Sequence, residues 1–235
     1  MQTRRVYAGS VAIGGGAPVT VQTMTNTDTR DVSATLAQIR AMAEAGADIV
    51  RISVYDEACA QAVRSLVDDS PVPLVADIHF DHRLAMQSVE NGIAKVRINP
   101  GNIGGEANVR MLADCLKAHH VPVRIGVNSG SIEKDILKKY GGVTPEGMVE
   151  SGLNHARMLE RAGFEDIVLS YKATDVQKMV AACRLAAKES GYPQHIGVTE
   201  SGTADVGIVK SAIGIGALLL LSLIHISSEG HRFAY

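Results

Sequence analysis

Residues 44–53 read EAGADIVRIS, and this pattern decides the fold because it occurs three times along the chain. The other two copies are ENGIAKVRIN (90–99) and RAGFEDIVLS (161–170). In each copy a glycine follows a helical stretch, and glycine ends helices because it adopts the left-handed conformation without steric cost. These glycines are Gly46, Gly92 and Gly163. An apolar strand follows each of them, so the pattern predicts a repeated junction between an α-helix and a β-strand.

The remainder of the chain continues the same alternation. Between the candidate strands lie stretches with helical periodicity, of which 33–46 places Leu36, Ile39 and Ala43 on one face. Strict alternation of strands and helices with short loops predicts a parallel sheet with right-handed crossovers. We therefore predict an α/β fold, a TIM-type (β/α)8 barrel that is incomplete at its eighth strand. The candidate strands are 19–24, 48–54, 73–80, 94–99, 122–128, 166–172 and 195–200.

Length and composition suit one such domain. The 235 residues are 46% hydrophobic and 4% aromatic, with 23 glycines, as expected for a barrel with many turns and a core of small aliphatic side chains. We predict an N-terminal hairpin segment in 1–18, the barrel in 19–220 and a tail foreign to the native protein in 221–235. The glycines of KSAIGIG (210–216) predict a helix packed closely on the barrel through Gly214 and Gly216.

Charge and hydropathy exclude two classes of partner. A net charge of −2 provides no basic field for nucleic acid. The longest apolar run, 213–226, is shorter than the ~20 residues that a membrane span needs, and the N-terminal residues lack the apolar stretch of a signal peptide. We expect a cytoplasmic protein in which Cys59, Cys115 and Cys183 are free thiols, because reducing compartments keep thiols unpaired.

Side-chain alternation along the strands locates a candidate site. Successive side chains point to opposite faces, and the apolar face of each strand must pack on the helices, so the polar face lines the barrel. The polar side chains fall in the carboxyl-terminal halves of their strands, where barrel enzymes place their active sites. They are Arg51, Ser53, Asp77, His79, Arg97, Asn99, Arg124, Asn128, Ser170, Lys172 and Glu200.

Positive charge dominates this set. Four members are arginine or lysine, and only Asp77 and Glu200 are carboxylates. Buried cations are costly unless an anion neutralises them, and guanidinium groups bind phosphate oxygens in pairs. The set therefore predicts a phosphate or diphosphate ester as ligand. Structural ion pairing inside the barrel explains any single residue but not the surplus of cations.

Two other interpretations remain open. Asp77 and His79 have the spacing of a metal-ligand pair on one strand, as in a metal-dependent barrel hydrolase or lyase. A metal site needs at least three ligands and nearby arginines repel a cation, so we predict no bound metal and favour substrate orientation or proton transfer for the pair. A non-catalytic phosphate-binding module is the second alternative. The glycine-rich turns 99–106 and 126–131 either bind phosphate through backbone N–H groups or simply connect elements.

Several strings resemble the signature segments of the 4-hydroxy-3-methylbut-2-enyl-diphosphate synthase family of bacteria and plastids. The most specific are VADIHFD (75–81) and RINPGNIG (97–104), and the resemblance runs from about residue 4 to 220. It implies an oxidoreductase of the methylerythritol-phosphate route to isoprenoids. That enzyme reductively converts 2-C-methyl-D-erythritol 2,4-cyclodiphosphate to 4-hydroxy-3-methylbut-2-enyl diphosphate. The further matching strings are QTMTNT (22–27), RIGVNSGS (124–131), KATD (172–175), GVTESG (197–202) and KSAIGIG.

The resemblance also implies a cofactor, partners and residue roles. Family members carry a [4Fe–4S] cluster, receive electrons from flavodoxin or ferredoxin, and act as homodimers. By similarity, the catalytic candidates are Glu200, His79 and Asp77. We expect the substrate to be bound by Arg51, Arg97, Asn99, Arg124, Asn128, Ser170 and Lys172.

The chain departs from the family in two respects. In the family a second domain binds the cluster through three cysteines and a glutamate, and the cysteines of this chain lie outside that motif. The stretch LSLIHISSEGHRFAY (221–235) does not resemble the family's eighth strand. We therefore expect the C-terminal iron–sulfur domain to be absent, and the truncated chain to bind no cofactor and to bind substrate without turnover.

Overall fold

The computed structural model describes residues 3–99, 102–199 and 201–220, together with the backbone of 226–229. Its first element is the hairpin predicted within 1–18, in which β1 (Arg5–Ala8) pairs antiparallel with β2 (Val11–Gly14). Apolar side chains of this hairpin pack on the first interior residues of three barrel strands. The cluster comprises Val6, Ala8, Ile13, Ile49, Val75 and Val168. The hairpin therefore closes the amino-terminal end of the barrel, opposite the end expected to carry the site.

The body of the chain is a closed parallel barrel, which confirms the predicted TIM-type class. Its strands are β3 (Thr20–Met24), β4 (Ile49–Ser53), β5 (Leu74–Asp77), β6 (Lys95–Ile98), β7 (Val123–Asn128), β8 (Ile167–Lys172), β9 (Gln194–Ile196) and β10 (Ile226–Glu229). The helices are α1 (Val32–Glu44), α2 (Glu57–Asp69), α3 (His82–Glu90), α4 (Glu106–His119), α5 (Lys134–Tyr140), α6 (Pro145–Arg161), α7 (Val176–Glu189) and α8 (Ala204–Leu220).

At the position of the eighth strand, where the sequence predicted an incomplete barrel, the structure has the short strand β10. β10 fills that place by pairing parallel with β3 and with β9, and Ser227 lies opposite Thr20 on one side and His195 on the other. Unpaired strand edges expose N–H and C=O groups, and backbone pairing satisfies them whatever the side chains are. The barrel thus continues past the predicted boundary at residue 220. Residues 221–225 and 230–235 of the predicted tail lie outside the described ranges.

Several helix boundaries have a local physical cause. Four helices begin where an aspartate accepts a hydrogen bond from a backbone N–H of the first turn, as N-caps do; these are Asp31, Asp56, Asp81 and Asp175. The three repeat glycines have the positive φ angles predicted for them, 97° at Gly46, 89° at Gly92 and 73° at Gly163. The repeated helix-to-strand junction is therefore confirmed.

α8 packs on the barrel through one of the two predicted glycines. A Cβ atom at Gly214 would lie 2.6 Å from Met179 Cε and 3.2 Å from Val176 Cγ1, so α8 approaches α7 closely at this glycine. A Cβ atom at Gly216 would meet no described neighbour within 4 Å, and the prediction of close packing there was wrong. Although α8 is strongly apolar, none of the helices in the described ranges has the length and apolarity to cross a membrane.

Another glycine positions the strand that carries Ser170 and Lys172. Tyr171, between them on β8, is fully buried, and a Cβ atom at Gly152 of α6 would lie 2.5 Å from its Oη. We expect Gly152→Ala to lower the free energy of unfolding by about 1–3 kcal/mol, the usual cost of overpacking a core. Urea denaturation measures this. Gly216→Ala is the matched control and should stabilise by about 0.5–1 kcal/mol; equal effects of the two variants would contradict the packing argument.

Candidate active site

Charged side chains of consecutive strands converge at the carboxyl-terminal end of the barrel. Ser53 of β4 is in register with Asp77 of β5, which is in register with Arg97 of β6, and Arg97 is in register with Arg124 of β7. The exposed fraction is 7% for Arg97 and 1% for Arg124. Parallel pairing thus brings residues that are far apart in sequence to one buried layer, as side-chain alternation predicted.

Asp77 is the centre of an ion-pair network. Arg97 Nη1 donates to its Oδ1 at 2.9 Å, and Arg51 Nε lies 3.7 Å from its Oδ2. Burial alone would raise the pKa of Asp77, but the hydrogen bond to His79 and the charges of Arg51, Arg97 and Arg124 hold that pKa well below its usual range. Asp77 therefore remains a carboxylate and holds two guanidinium groups in place.

His79 lies at the rim of this network. Its side chain is 53% exposed. The ring nitrogens Nδ1 and Nε2 lie 3.2 and 3.3 Å from Arg97 Nη1, and Nε2 also lies 3.6 Å from Asp77 Oδ1. Phe80 next to it is also exposed. An imidazole at the edge of a cationic hollow can reach a bound ligand while its other contacts orient the ring.

Arg124 and Lys172 extend the positive charge across the barrel. Burial lowers the pKa of Lys172 well below its ordinary value, and the charges of Arg124, Arg51 and Arg97 lower it further. Burial also lowers the pKa of Arg124, and the charges of Arg51 and Arg97 lower it further. These mutual effects require the four cations to lie near one another. Since a guanidinium does not lose its proton in proteins, the energetic cost favours binding of an anion.

The predicted neutral site residues surround these cations. Asn99 is buried directly after β6, and Asn128 ends β7, half-buried and in register with Lys172. Ser170 is buried on β8 in register with Gly126. Ser53 is half-buried, and its carbonyl oxygen accepts a hydrogen bond from Thr29 Oγ1. Glu200, the remaining candidate, lies outside the described residues.

Gly126 makes room for Arg97. A Cβ atom at Gly126 would lie 2.8 Å from Arg97 Nε and 3.0 Å from its Nη2. We expect Gly126→Ala to displace the guanidinium from Asp77 and to weaken binding of inorganic diphosphate on the order of tenfold, within the 1–3 kcal/mol range of overpacking. Isothermal titration calorimetry measures this. Gly130→Ala, with open space around its Cβ, is the control; indistinguishable affinities of the two variants would count against a binding role for Arg97.

The described residues do not assemble a metal site. Asp77 and His79 gain no further ligand, because within the described ranges no three His, Cys, Asp or Glu side chains are placed to hold a metal ion. Cys59, Cys115 and Cys183 are free thiols on α2, α4 and α7. Burial raises the pKa of Cys183 to about 12, which opposes formation of the thiolate that ligates a metal. These cysteines do not fit an iron–sulfur cluster.

The barrel also contains polar residues that sequence reasoning missed. Lys95 of β6, Gln22 of β3 and His195 of β9 are fully buried in the interior, and Lys95 Nζ donates to Gln22 Oε1 at 3.0 Å. Alternation along β6 contained the signal, since Lys95 shares a face with Arg97 and Asn99. Because a lysine near the start of a strand is commonly solvated, this alternation alone did not indicate that Lys95 is buried.

Solved structures confirm the fold. Dihydropteroate synthase of Yersinia pestis matches with a TM-score of 0.68 at 13% identity, covering 96% of this chain and 91% of that protein. A truncated 3-deoxy-D-arabino-heptulosonate 7-phosphate synthase of Thermotoga maritima matches with a TM-score of 0.66 at 18% identity, covering 99% and 83%. At such identities the likeness shows a shared barrel and nothing about the reaction.

Sequence relatives are much closer. Proteins named 4-hydroxy-3-methylbut-2-en-1-yl diphosphate synthase (flavodoxin) are 53% identical in Ruminiclostridium cellulolyticum and 55% identical in Magnetococcus marinus. Each alignment covers 93% of this chain, but 62% and 59% of the respective relative. The chain thus spans about three fifths of the length of these relatives. The family described as the GcpE TIM-barrel domain matches residues 3–225, five residues into the predicted foreign tail. The chain belongs to the GcpE TIM-barrel domain family.

Proposed function

We propose that this chain is the substrate-binding barrel of an enzyme of isoprenoid biosynthesis. Its substrate would be 2-C-methyl-D-erythritol 2,4-cyclodiphosphate, reductively converted to 4-hydroxy-3-methylbut-2-enyl diphosphate. One observation carries the proposal: Arg51, Arg97, Arg124 and Lys172 meet inside the barrel, and Asp77 is ion-paired to Arg51 and Arg97. The names of the close relatives support the choice of product.

The four cations would bind the diphosphate. Guanidinium groups donate two parallel hydrogen bonds to phosphate oxygens, and Lys172 adds a compact charge from the neighbouring strand. Asp77 would act by positioning Arg51 and Arg97, to which it is ion-paired. The lowered pKa of Asp77 keeps it ionised, which favours positioning over proton transfer, the two roles that the sequence left open.

The remaining polar side chains would contact the organic part of the substrate. Asn99, Asn128 and Ser170 offer neutral donors and acceptors beside the cations. His79, half exposed at the rim, is a candidate for delivering a proton to a leaving oxygen. Glu200 remains a candidate for the same chemistry from the sequence resemblance alone.

Electron transfer would involve groups beyond these residues. Flavodoxin, which the relatives' names include, is the proposed electron donor, and the family resemblance implies a [4Fe–4S] cluster and a homodimer. When bound, such a cluster supplies electrons for the reductive step. Since the described cysteines do not fit it, we assign no step through a cluster to this chain. Free cysteines suit a reducing cytoplasm, where we place the protein.

Calorimetric titration of the 235-residue chain with the cyclic diphosphate tests the proposal. We expect one binding site, competition by inorganic diphosphate, no binding of unphosphorylated 2-C-methyl-D-erythritol and no turnover with reduced flavodoxin. A chelator should not change the affinity, whereas chelator-sensitive hydrolysis would support the metal-dependent hydrolase instead. Absence of binding, or equal binding of the unphosphorylated polyol, would refute the proposed function.

A further inference from the structure

A second layer of polar side chains lies beneath the proposed diphosphate site and is not used by it. Its most buried cationic member is Lys95, the first residue of β6, two residues before Arg97 on the same face. Lys95 has no exposed surface, and its ammonium or amine nitrogen reaches across the barrel to Gln22 Oε1 at 3.0 Å. A buried lysine held by a neutral amide requires a physical explanation.

Polar or charged groups on every neighbouring strand with described side chains affect the charge of Lys95. β3 contributes the neutral Gln22. The charged or titratable groups facing the interior are Arg51 on β4, Asp77 on β5, Arg97 on β6, Arg124 on β7, Lys172 on β8 and His195 on β9. Of β10 the structure describes the backbone. On β3 to β9, Asp77 is the one interior carboxylate, and it is already bonded to Arg97 at 2.9 Å.

This environment favours the uncharged amine when no anion is bound. Burial, and then the charges of Arg124 and Arg51, lower the pKa of Lys95 well below its ordinary value. The amide oxygen of Gln22 accepts a hydrogen bond from an amine as well as from an ammonium group, so the contact at 3.0 Å persists in both states. The contact therefore permits protonation without rearrangement.

A diphosphate reverses the balance of charge. Its negative charges would neutralise the arginines above Lys95 and remove the repulsion that disfavours the ammonium form. By linkage, if an anion stabilises the protonated state, protonation strengthens binding of the anion by the same factor.

We propose that Lys95 is a proton-binding positioning residue beneath the anion site, taking up a proton from solvent when a diphosphate binds and releasing it when the diphosphate leaves. The proposal rests on the proposed function, because it requires the anion to occupy the cationic hollow. It gives Gln22 the role of holding the side chain in both states. The arginines are always charged and cannot provide this response.

Calorimetric titration with inorganic diphosphate, in buffers of different ionisation enthalpy, measures the protons taken up per ligand. Because diphosphate itself releases protons on binding to cations, the quantity to compare is the difference between the two chains. We expect the unmodified chain to take up more protons per ligand than Lys95→Met, by a difference that approaches one proton, since methionine fills a similar volume without a titratable group. The pH dependence of affinity should differ between the two chains by up to about tenfold per pH unit, in the direction of stronger loss at high pH in the unmodified chain. The exposed Lys188→Met is the matched control and should leave uptake unchanged.

Each outcome is decisive. Uptake that is unchanged in Lys95→Met while diphosphate still binds would overturn the assignment, and would point to Lys172 or His195, the other buried titratable bases. Absence of diphosphate binding to the unmodified chain would refute the proposed function and this inference with it. If Lys95→Met does not fold, Lys95→Gln gives the same comparison, and equal proton uptake by that variant and the unmodified chain would contradict the proposal.

Discussion

Replacing Arg124 by methionine should weaken binding of inorganic diphosphate by about 3 kcal/mol, on the order of a hundredfold in Kd. Arg124 is 1% exposed and lies at the centre of the four cations, in register with Arg97 on one side and Val168 on the other. A desolvated guanidinium that contacts a phosphate is worth far more than a surface arginine, because little water competes for the anion. Calorimetric titration of the folded variant measures the loss.

A change at a distant arginine tests whether the loss of affinity is specific to the buried cations. Arg110→Met, which changes an exposed arginine of α4, is the matched control and should leave affinity unchanged. Unaltered diphosphate affinity in Arg124→Met would contradict the proposed site.

Local sequence patterns were sufficient to predict the barrel and the interior face on which most of the candidate side chains lie. The repeat ending in Gly46, Gly92 and Gly163 set the helix-to-strand junctions, because a left-handed residue is required there and glycine adopts it freely. Alternation along strands then placed Arg51 and Arg97 on the interior face without knowledge of the fold. Both patterns depend on backbone geometry that neighbouring residues determine.

Features that depend on distant parts of the chain were not predicted. Closure by β10 depends on unpaired edges of β3 and β9, a property of the assembled sheet rather than of the sequence of 226–229. The two ion pairs of Asp77 depend on strand register, so they could not be predicted from local sequence patterns. The burial of Lys95 was not predicted, because a lysine near the start of a strand is commonly solvated. In this barrel the hairpin closes that end.

The second large effect should follow from Asp77→Asn, which we expect to lower the free energy of unfolding by about 3–5 kcal/mol. The substitution keeps the shape of the side chain but removes the negative charge that Arg97 contacts at 2.9 Å and Arg51 at 3.7 Å. Both guanidinium groups then remain buried beside Arg124 without that compensation. Urea denaturation at neutral pH measures the change. Asp68→Asn, which breaks the exposed pair of Asp68 with Arg64 on α2, should have little effect.

The dependence of the free energy of unfolding on pH and on diphosphate identifies why Asp77→Asn lowers it. Since the pKa of Asp77 is lowered in the folded state, its contribution is complete above the unfolded pKa of about 3.9 and disappears as pH falls through the folded value. The variant should therefore lose less stability than the unmodified chain in acid. Inorganic diphosphate replaces the missing negative charge, so saturating diphosphate should stabilise Asp77→Asn more than it stabilises the unmodified chain. Equal stabilisation of both would mean that Asp77 does not balance the charge that the diphosphate is proposed to bind.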